Sequence, residues 1–231
     1  MSHTSTEHEV LAVVFQVGDV SSRKPALNVL LWQRALEPER GKWSLPGGRL
    51  RTDEDLTSSV RRQLAEKVDV REIAHLEQLA VFSDPGRLPG EVRTIASTFL
   101  GLVPSVATPE LPPDTRWHPV NALPAMAFDH GPMVEYARTR LVAKLSYTNI
   151  GFALAPTEFA LSTLRDIYGA ALGYQVDATN LQRVLVRRGV ITPTGTTAHP
   201  GRTGGRPAAL YRFTDSQIRV TDEFAALRPP G

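Results

Sequence analysis

The 231-residue chain contains no cysteine, which excludes disulfide frameworks and thiolate metal sites and makes a reducing cytoplasm its simplest setting. Long apolar runs are missing too. No stretch approaches the roughly 18 residues that a membrane-spanning helix needs, and the polar opening "MSHTSTEH" leads into no hydrophobic segment with a small-residue cleavage site. The expectation is a cytoplasmic protein that neither spans a membrane nor is exported. With 42% apolar and 22% charged residues, the composition is that of an ordinary globular chain, long enough for two domains.

Lysine is absent from the last third. Residues 1–150 carry 17 Lys+Arg against 18 Asp+Glu, whereas residues 151–231 hold 9 Arg, no Lys and 6 acids. Six of those arginines (183, 187, 188, 202, 206 and 212) fall between Asp177 and Arg212, against the single acid Asp177. Guanidinium groups present a planar fork of donors that matches phosphate and guanine edges, so an arginine-only cluster suits nucleic acid better than mere solubility, which lysine serves equally well.

Strand patterns occupy Val10 to Val17 and Ala26 to Gln33, joined by the turn-forming "GDVSSRKP". A Gly- and Pro-containing loop follows. Thr52, three residues before Asp55, opens a helical pattern that places Leu56, Val60 and Leu64 on one face. Further strands are expected at Leu76 to Phe82, Thr94 to Val103 and Arg116 to Val120. A second helix then carries Met133, Tyr136, Ala137, Leu141 and Leu145 inward. Past residue 150 the signals change. Ser162 is placed to cap a helix with Leu164, Ile167, Tyr168, Ala171 and Leu172, which Gly173 ends. Asp177 caps another with Leu181, Val184 and Leu185 inward and Gly189 as its stop. "VITPTG" and "AALYRF" read as two strands joined by "TAHPGRTGGRP". Helix, turn, helix and a two-stranded ribbon with a basic loop match a winged helix-turn-helix in outline.

The stretch "PGGRLRTDEDLTSSVRRQLAEKVDV", Pro46 to Val70, carries the most specific signal. Gly48, Glu54, Arg62, Leu64, Glu66 and Val70 fall at the spacing of the box of the Nudix hydrolases, which the chain resembles here, and "WSLPGG" precedes the box as it often does in that family. Gln63, Lys67 and Asp69 depart from it. Helical spacing projects Gln63, Glu66 and Lys67 together beside the Gly47-Gly48 loop, with Arg62 adjacent. The resemblance implies three glutamates there for metal binding and base work, and this chain keeps one. Mg²⁺ needs carboxylate oxygens, Gln63 offers no charge, and Lys67 is a cation. The trio sums to zero where three carboxylates would carry −3. No catalytic Mg²⁺ and no other cofactor is expected, and diphosphate hydrolysis is expected to be absent or vestigial. Lys67 either supplies charge to a bound diphosphate or pairs with Asp69 or Glu66. Trp32, Arg34, Trp43, Gly47, Gly48, Arg49, Glu66 and Lys67 are candidate effector contacts, through aromatic stacking, phosphate pairing and backbone N–H groups. The loop "FSDPGRLPGEVR" adds Phe82 and Arg87.

In the second half, Thr179, Asn180, Arg183 and Arg187 point away from the Leu181/Val184/Leu185 face, and Arg and Asn are the residue types that read guanine and adenine in a major groove. Arg202 and Arg206 are placed like the tip of a wing that touches phosphate or a minor groove. Together the halves resemble the NrtR family of Nudix-related transcriptional regulators, on the eroded box, "AFDH" at 127–130, "FALSTLRDIYGAALG" at 159–173 and "GGRPAALYRF" at 204–213. The resemblance implies an α+β chain: a Nudix-like α/β/α sandwich for effector binding over residues 9–146, then a winged helix-turn-helix over 147–231. It also implies a homodimeric repressor of NAD biosynthesis or salvage genes, bound to a palindromic DNA operator and sensing ADP-ribose or a related nucleotide. Two alternatives stay open: an active Nudix hydrolase with an accessory nucleic-acid domain, and a regulator of sugar catabolism. The segment Gly131 to Pro156 either transmits the ligand signal or is a passive linker.

Overall fold

Strand β1 (Thr6–Gly18) is the centre of the first sheet, and Val10, Ala12 and Val14 on one face are fully buried together with Leu11, Val13 and Phe15 on the other. A strand apolar on both faces belongs in a sheet covered on both sides. The computed structural model describes residues 6–18, 20, 24–88, 92–198 and 207–222. β2 (Ala26–Gln33), β3 (Trp43–Ser44), β4 (Gly47–Arg49), β5 (His75–Phe82), β6 (Arg93–Leu102) and β7 (Thr115–Pro119) complete seven strands ordered β3-β2-β1-β6-β5, with β4 paired to β1 and β7 to β2. β1 and β6 run parallel, and β4 lies antiparallel to β1 with Leu11 opposite Gly47, Val10 opposite Gly48 and Glu9 opposite Arg49.

Helix α1 (Leu56–Val68) packs Val60, Leu64 and Val68 against Val10, Ala12, Val14, Leu30 and Phe99 in one apolar cluster. Asp55 is its N-cap, accepting 2.7 Å from the Ser58 backbone N–H. The expected start at Thr52 is therefore corrected. The Glu54 carboxylate accepts from the Arg51 N–H at 2.9 Å and turns toward Arg62, which holds residues 51–54 in a loop and leaves Asp55 to satisfy the first free donors. Asp69 closes the helix in the left-handed conformation, where the family pattern has glycine.

Helix α2 (His130–Tyr147) buries Met133, Val134, Ala137, Leu141 and Leu145. Tyr136, expected inward, is 46% exposed, and its ring meets Phe82 edge-on at 5.9 Å. Contacts divide the chain into two units, Met1–Gln16, Asn28–Val103 and Ala107–Thr139 in one and Val17–Leu27, Pro104–Val106 and Arg140–Gly231 in the other. The division falls within α2.

In the second unit, a two-residue strand β8 (Phe159–Ala160) runs directly into helix α3 (Leu161–Leu172) and pairs with β10 (Ala209–Phe213), which pairs with β9 (Ile191–Thr197). Strand pairing of Phe159 and Ala160 makes Ala160 the N-cap, without a side-chain hydrogen bond, so Ser162 sits in the first turn and does not cap. Gly173 ends α3 at φ +81°. Asp177 caps helix α4 (Ala178–Arg187) by accepting from the Asn180 N–H at 2.7 Å. Leu181 and Leu185 are buried as expected, while Val184 is only half-buried. Replacing Asp55 with Ala should lower the midpoint of urea unfolding, and Ser162→Ala should leave it unchanged or raise it slightly. A loss on Ser162→Ala as large as that on Asp55→Ala would return the cap of α3 to Ser162.

Candidate functional site

β4 meets α1 without side chains of its own at two positions. A Cβ on Gly47 would stand 2.2 Å from the Val10 carbonyl, and one on Gly48 would stand 2.8 Å from the Gln63 amide nitrogen and 3.0 Å from the Lys67 ammonium. Close approach to the backbone requires glycine at Gly47, whereas a side chain at Gly48 would have to displace the flexible ends of Gln63 and Lys67. The Lys67 Nζ donates to the Gly47 carbonyl and stands over the Trp32 ring, 5.4 Å from its centroid. Trp32 is itself fixed by donating its indole N–H to the Leu45 carbonyl at 3.0 Å. Of the alternatives for Lys67, pairing with Asp69 or Glu66 is not the arrangement found. Asp69 pairs with Arg71 at 3.1 Å and Glu66 with Arg62 at 3.2 Å. The expected trio is thus divided, with Gln63 and Lys67 against Gly48 and the Glu66 carboxylate held by Arg62.

Arg62 holds the acids that remain in the box. It contacts Glu54 through Nη2 at 2.6 Å and Nε at 2.8 Å. The hydrogen bond from Arg62 brings the Glu54 carboxyl down to about 2, and Arg62 is raised in turn, chiefly by Glu54. Both carboxylates therefore serve one guanidinium. Gln63, buried, donates weakly to the Arg49 carbonyl at 3.5 Å, and its Oε1 has no partner among the described residues. Among the described residues no group of three His, Asp or Glu is arranged to hold a metal ion. The donors present do not fit the Mg²⁺ that a Nudix box implies.

The other candidate effector residues lie around this centre in different roles. Arg34 stacks its guanidinium over Phe128 at 4.8 Å and donates to the Pro38 carbonyl at 2.9 Å. Trp43 meets His118 edge-on at 4.3 Å. Arg49 is exposed and pairs with Glu7 at 2.6 Å, and Phe82 packs on Tyr136. Arg87 is the largest departure. Its side chain is 2% exposed and bridges Glu9 at 2.7 Å and Asp129 at 2.9 Å through two nitrogens. Burial alone would lower its pKa, and the hydrogen bonds it donates to Asp129 and Glu9 outweigh that and raise it. A loop arginine expected to await a ligand instead ties its loop to β1 and to the residue before α2.

Three residues missed in the sequence join this framework. Glu9 lies close enough to Lys67 to favour its charge while also binding Arg87. Asp129 and His130 belong to the "AFDH" stretch, whose only sequence signal was a family resemblance. His130 Nδ1 accepts from the Leu45 N–H at 3.0 Å, and burial brings its imidazole down to about 4.

In the second unit, Thr179, Asn180, Arg183 and Arg187 are exposed on α4, and Arg183 donates to the Asn180 side-chain oxygen at 2.7 Å. The inward face is anchored by Leu181 and Leu185, and Gln182 donates to the Tyr211 hydroxyl of β10 at 2.7 Å. Arg202 and Arg206 lie outside the described residues.

Residues 8–137 match the NUDIX domain, and residues 151–213 match the NrtR DNA-binding winged helix domain. Over 193 residues, 81% of this chain and 76% of the relative, the sequence is 31% identical to the ADPR responsive transcriptional repressor NtrR of Acinetobacter baylyi. The chain belongs to the NrtR family. Its fold is correspondingly α+β, a Nudix domain followed by a winged helix domain. Shewanella oneidensis NrtR complexed with a 27mer DNA superposes with a TM-score of 0.72 at 31% identity, over 89% of this chain and 93% of that one. A MutT/nudix family protein from Enterococcus faecalis, at 21% identity and TM-score 0.71 over 93% and 90% of the two chains, shares the fold. No helix among the described residues is long and apolar enough to cross a membrane.

His130 gives this NrtR-family domain a measurable pH response. The folded chain keeps the ring neutral, so the unfolded chain takes the proton first as pH falls. The contribution of His130 is complete above the ordinary imidazole value and is lost as pH drops from there toward about 4. Between pH 7.5 and pH 5, urea unfolding should lose roughly 2 kcal/mol more in the native chain than in His130→Gln. Equal losses would mean that the ring is not held neutral.

Proposed function

We propose that this chain is a DNA-binding transcriptional repressor whose Nudix domain binds ADP-ribose, or a related NAD-derived nucleotide, without hydrolysing it. The observation that carries this reading is the likeness across both domains to a repressor described as ADPR responsive, together with the likeness to a relative crystallised with DNA. The geometry supports each half separately. α4 offers an exposed Thr/Asn/Arg face on an anchored helix, of the residue types that contact base edges and phosphates. The box keeps its glycine turn, while its two remaining carboxylates pair with Arg62. The repressor acts as a homodimer on a palindromic operator, with Thr179, Asn180, Arg183 and Arg187 reading DNA and Arg202 and Arg206 contributing from the wing. Genes of NAD biosynthesis or salvage are its targets. No metal cofactor takes part. The Nudix domain extends over residues 9–146 and the DNA-binding domain over 147–231.

Two experiments test the two halves. In fluorescence anisotropy at fixed salt, a duplex from the protein's own upstream region should bind selectively over a scrambled duplex, and ADP-ribose should weaken that binding. Arg183→Ala should weaken selective binding by about 1–3 kcal/mol. Binding no better than to the scrambled duplex would remove the output on which the repressor reading depends. In the second experiment, Mg²⁺-dependent release of AMP from ADP-ribose should stay far below an ordinary turnover of ~1 s⁻¹. A rate at or above that would make the Nudix domain an enzyme.

A further inference from the structure

Lysine at position 67 does more than abolish a metal ligand. Its ammonium is held from two sides, by the Gly47 carbonyl and by the face of Trp32. An ammonium has three donors. Among the described residues the Gly47 carbonyl is its only hydrogen-bond partner, and Lys67 as a residue remains exposed. Donors are therefore left for an arriving anion.

The surroundings favour that anion. Gln63, beside Lys67 at the Gly48 position, is neutral and its Oε1 lacks a partner among the described residues. A glutamate there would place a carboxylate next to the ammonium and compete with any anionic ligand. Glu54 and Glu66 are engaged by Arg62. Crowding by protein lowers the Lys67 pKa first, followed by repulsion from Arg62 and Arg34, while Glu9 and Glu66 offset part of this. A group that gains from an added negative charge is the result. A divalent ion brought within several ångströms of the same ammonium would be repelled instead.

We propose that Lys67 is a tethered cation standing in for the divalent metal, so that the domain binds the diphosphate of a nucleotide ligand without metal. This rests on the reading of the Nudix domain as an ADP-ribose sensor. The Gly47 carbonyl and Trp32 fix the position of the charge, Gln63 adds no carboxylate beside it, and Gly48 leaves room for both side chains.

The test is calorimetric titration of the full chain with ADP-ribose, in EDTA and in excess MgCl₂, beside a Mn²⁺ titration read by electron paramagnetic resonance. The two dissociation constants should agree within about twofold, Lys67→Met should weaken binding about tenfold or more, and Lys67→Arg should recover most of the loss. The native chain should leave Mn²⁺ free, and Gln63→Glu/Lys67→Glu should capture it. ADP-ribose binding that requires Mg²⁺, or a normally melting Lys67→Met chain that binds as tightly as the native one, overturns the tethered cation and leaves the sensor reading standing. No binding with or without Mg²⁺ overturns both. The comparison of EDTA with Mg²⁺ uses the native chain, so it decides the matter even if a variant does not fold.

Discussion

Everything at the box depends on how closely β4 approaches β1 and α1. Val10 and Leu11 stand opposite Gly48 and Gly47, and a single added carbon at either glycine would enter space held by the Val10 carbonyl or by the Gln63 and Lys67 side chains. That contact brings Lys67, in the C-terminal half of α1, to the Gly47 carbonyl and over the Trp32 ring. What stands at positions 63 and 67 therefore decides the chemistry. Carboxylates there would face outward from a fixed turn as metal ligands, whereas an amide and an ammonium turn the same geometry into an anion-facing surface. The apolar residues of α1, Val60, Leu64 and Val68, pack into the core beside these two positions, and Gln63 is itself buried.

Two arginines keep the remaining acids from accumulating unbalanced charge. Arg62 binds Glu54 and Glu66, and Arg87 binds Glu9 and Asp129. The two differ in what they hold. Arg62 joins a loop residue to one helix, so its pairs shape the local turn. Arg87 joins β1, its own loop and the residue before α2, with its side chain almost wholly enclosed, and removal of a buried guanidinium leaves two uncompensated carboxylates. Residues of the same type, both near a candidate ligand site, thus have separate duties that composition cannot distinguish.

The same limit explains which features were legible in the sequence. Val and Leu periodicity located β2 to the residue and β9 and β10 of the second sheet closely, because burial of alternating side chains is written locally. Box spacing placed Gln63 and Lys67 on one face of α1 correctly, since helical geometry is fixed. Thr52 and Ser162 failed as caps for one reason. Each is a good capping residue, but Glu54 pairing with Arg62 and Phe159 pairing with β10 set where the helices begin. β3, β4 and β8, two or three residues long, carry no periodicity to read. Tyr136 fits an inward position by spacing and lies outside because Phe82 offers it an edge contact at the surface. The ion pairs of Arg87 were not legible because its partners stand 78 and 42 residues away.

The arginine cluster shows how position divides a charge that composition lumps together. Arg188 belongs to the six counted between Asp177 and Arg212, yet it donates to the Ser146 carbonyl at 2.8 Å and to Asp222 at 2.5 Å, joining the end of α4 to the end of α2 and to the tail. Arg219 donates to the Gly189 carbonyl at 2.6 Å, and Thr214 donates to the same oxygen at 2.7 Å. Cations at a helix C-terminus meet carbonyls that have no partner within the helix and sit at the negative end of its dipole. These arginines stabilise the domain from within. Arg183 and Arg187, one turn apart on the exposed side of the same helix, cap no comparable carbonyl among the described residues. The cluster therefore works in two directions: its end toward the tail fixes how α4 is held, and that fixed helix is what allows the outer pair to present donors at a defined spacing.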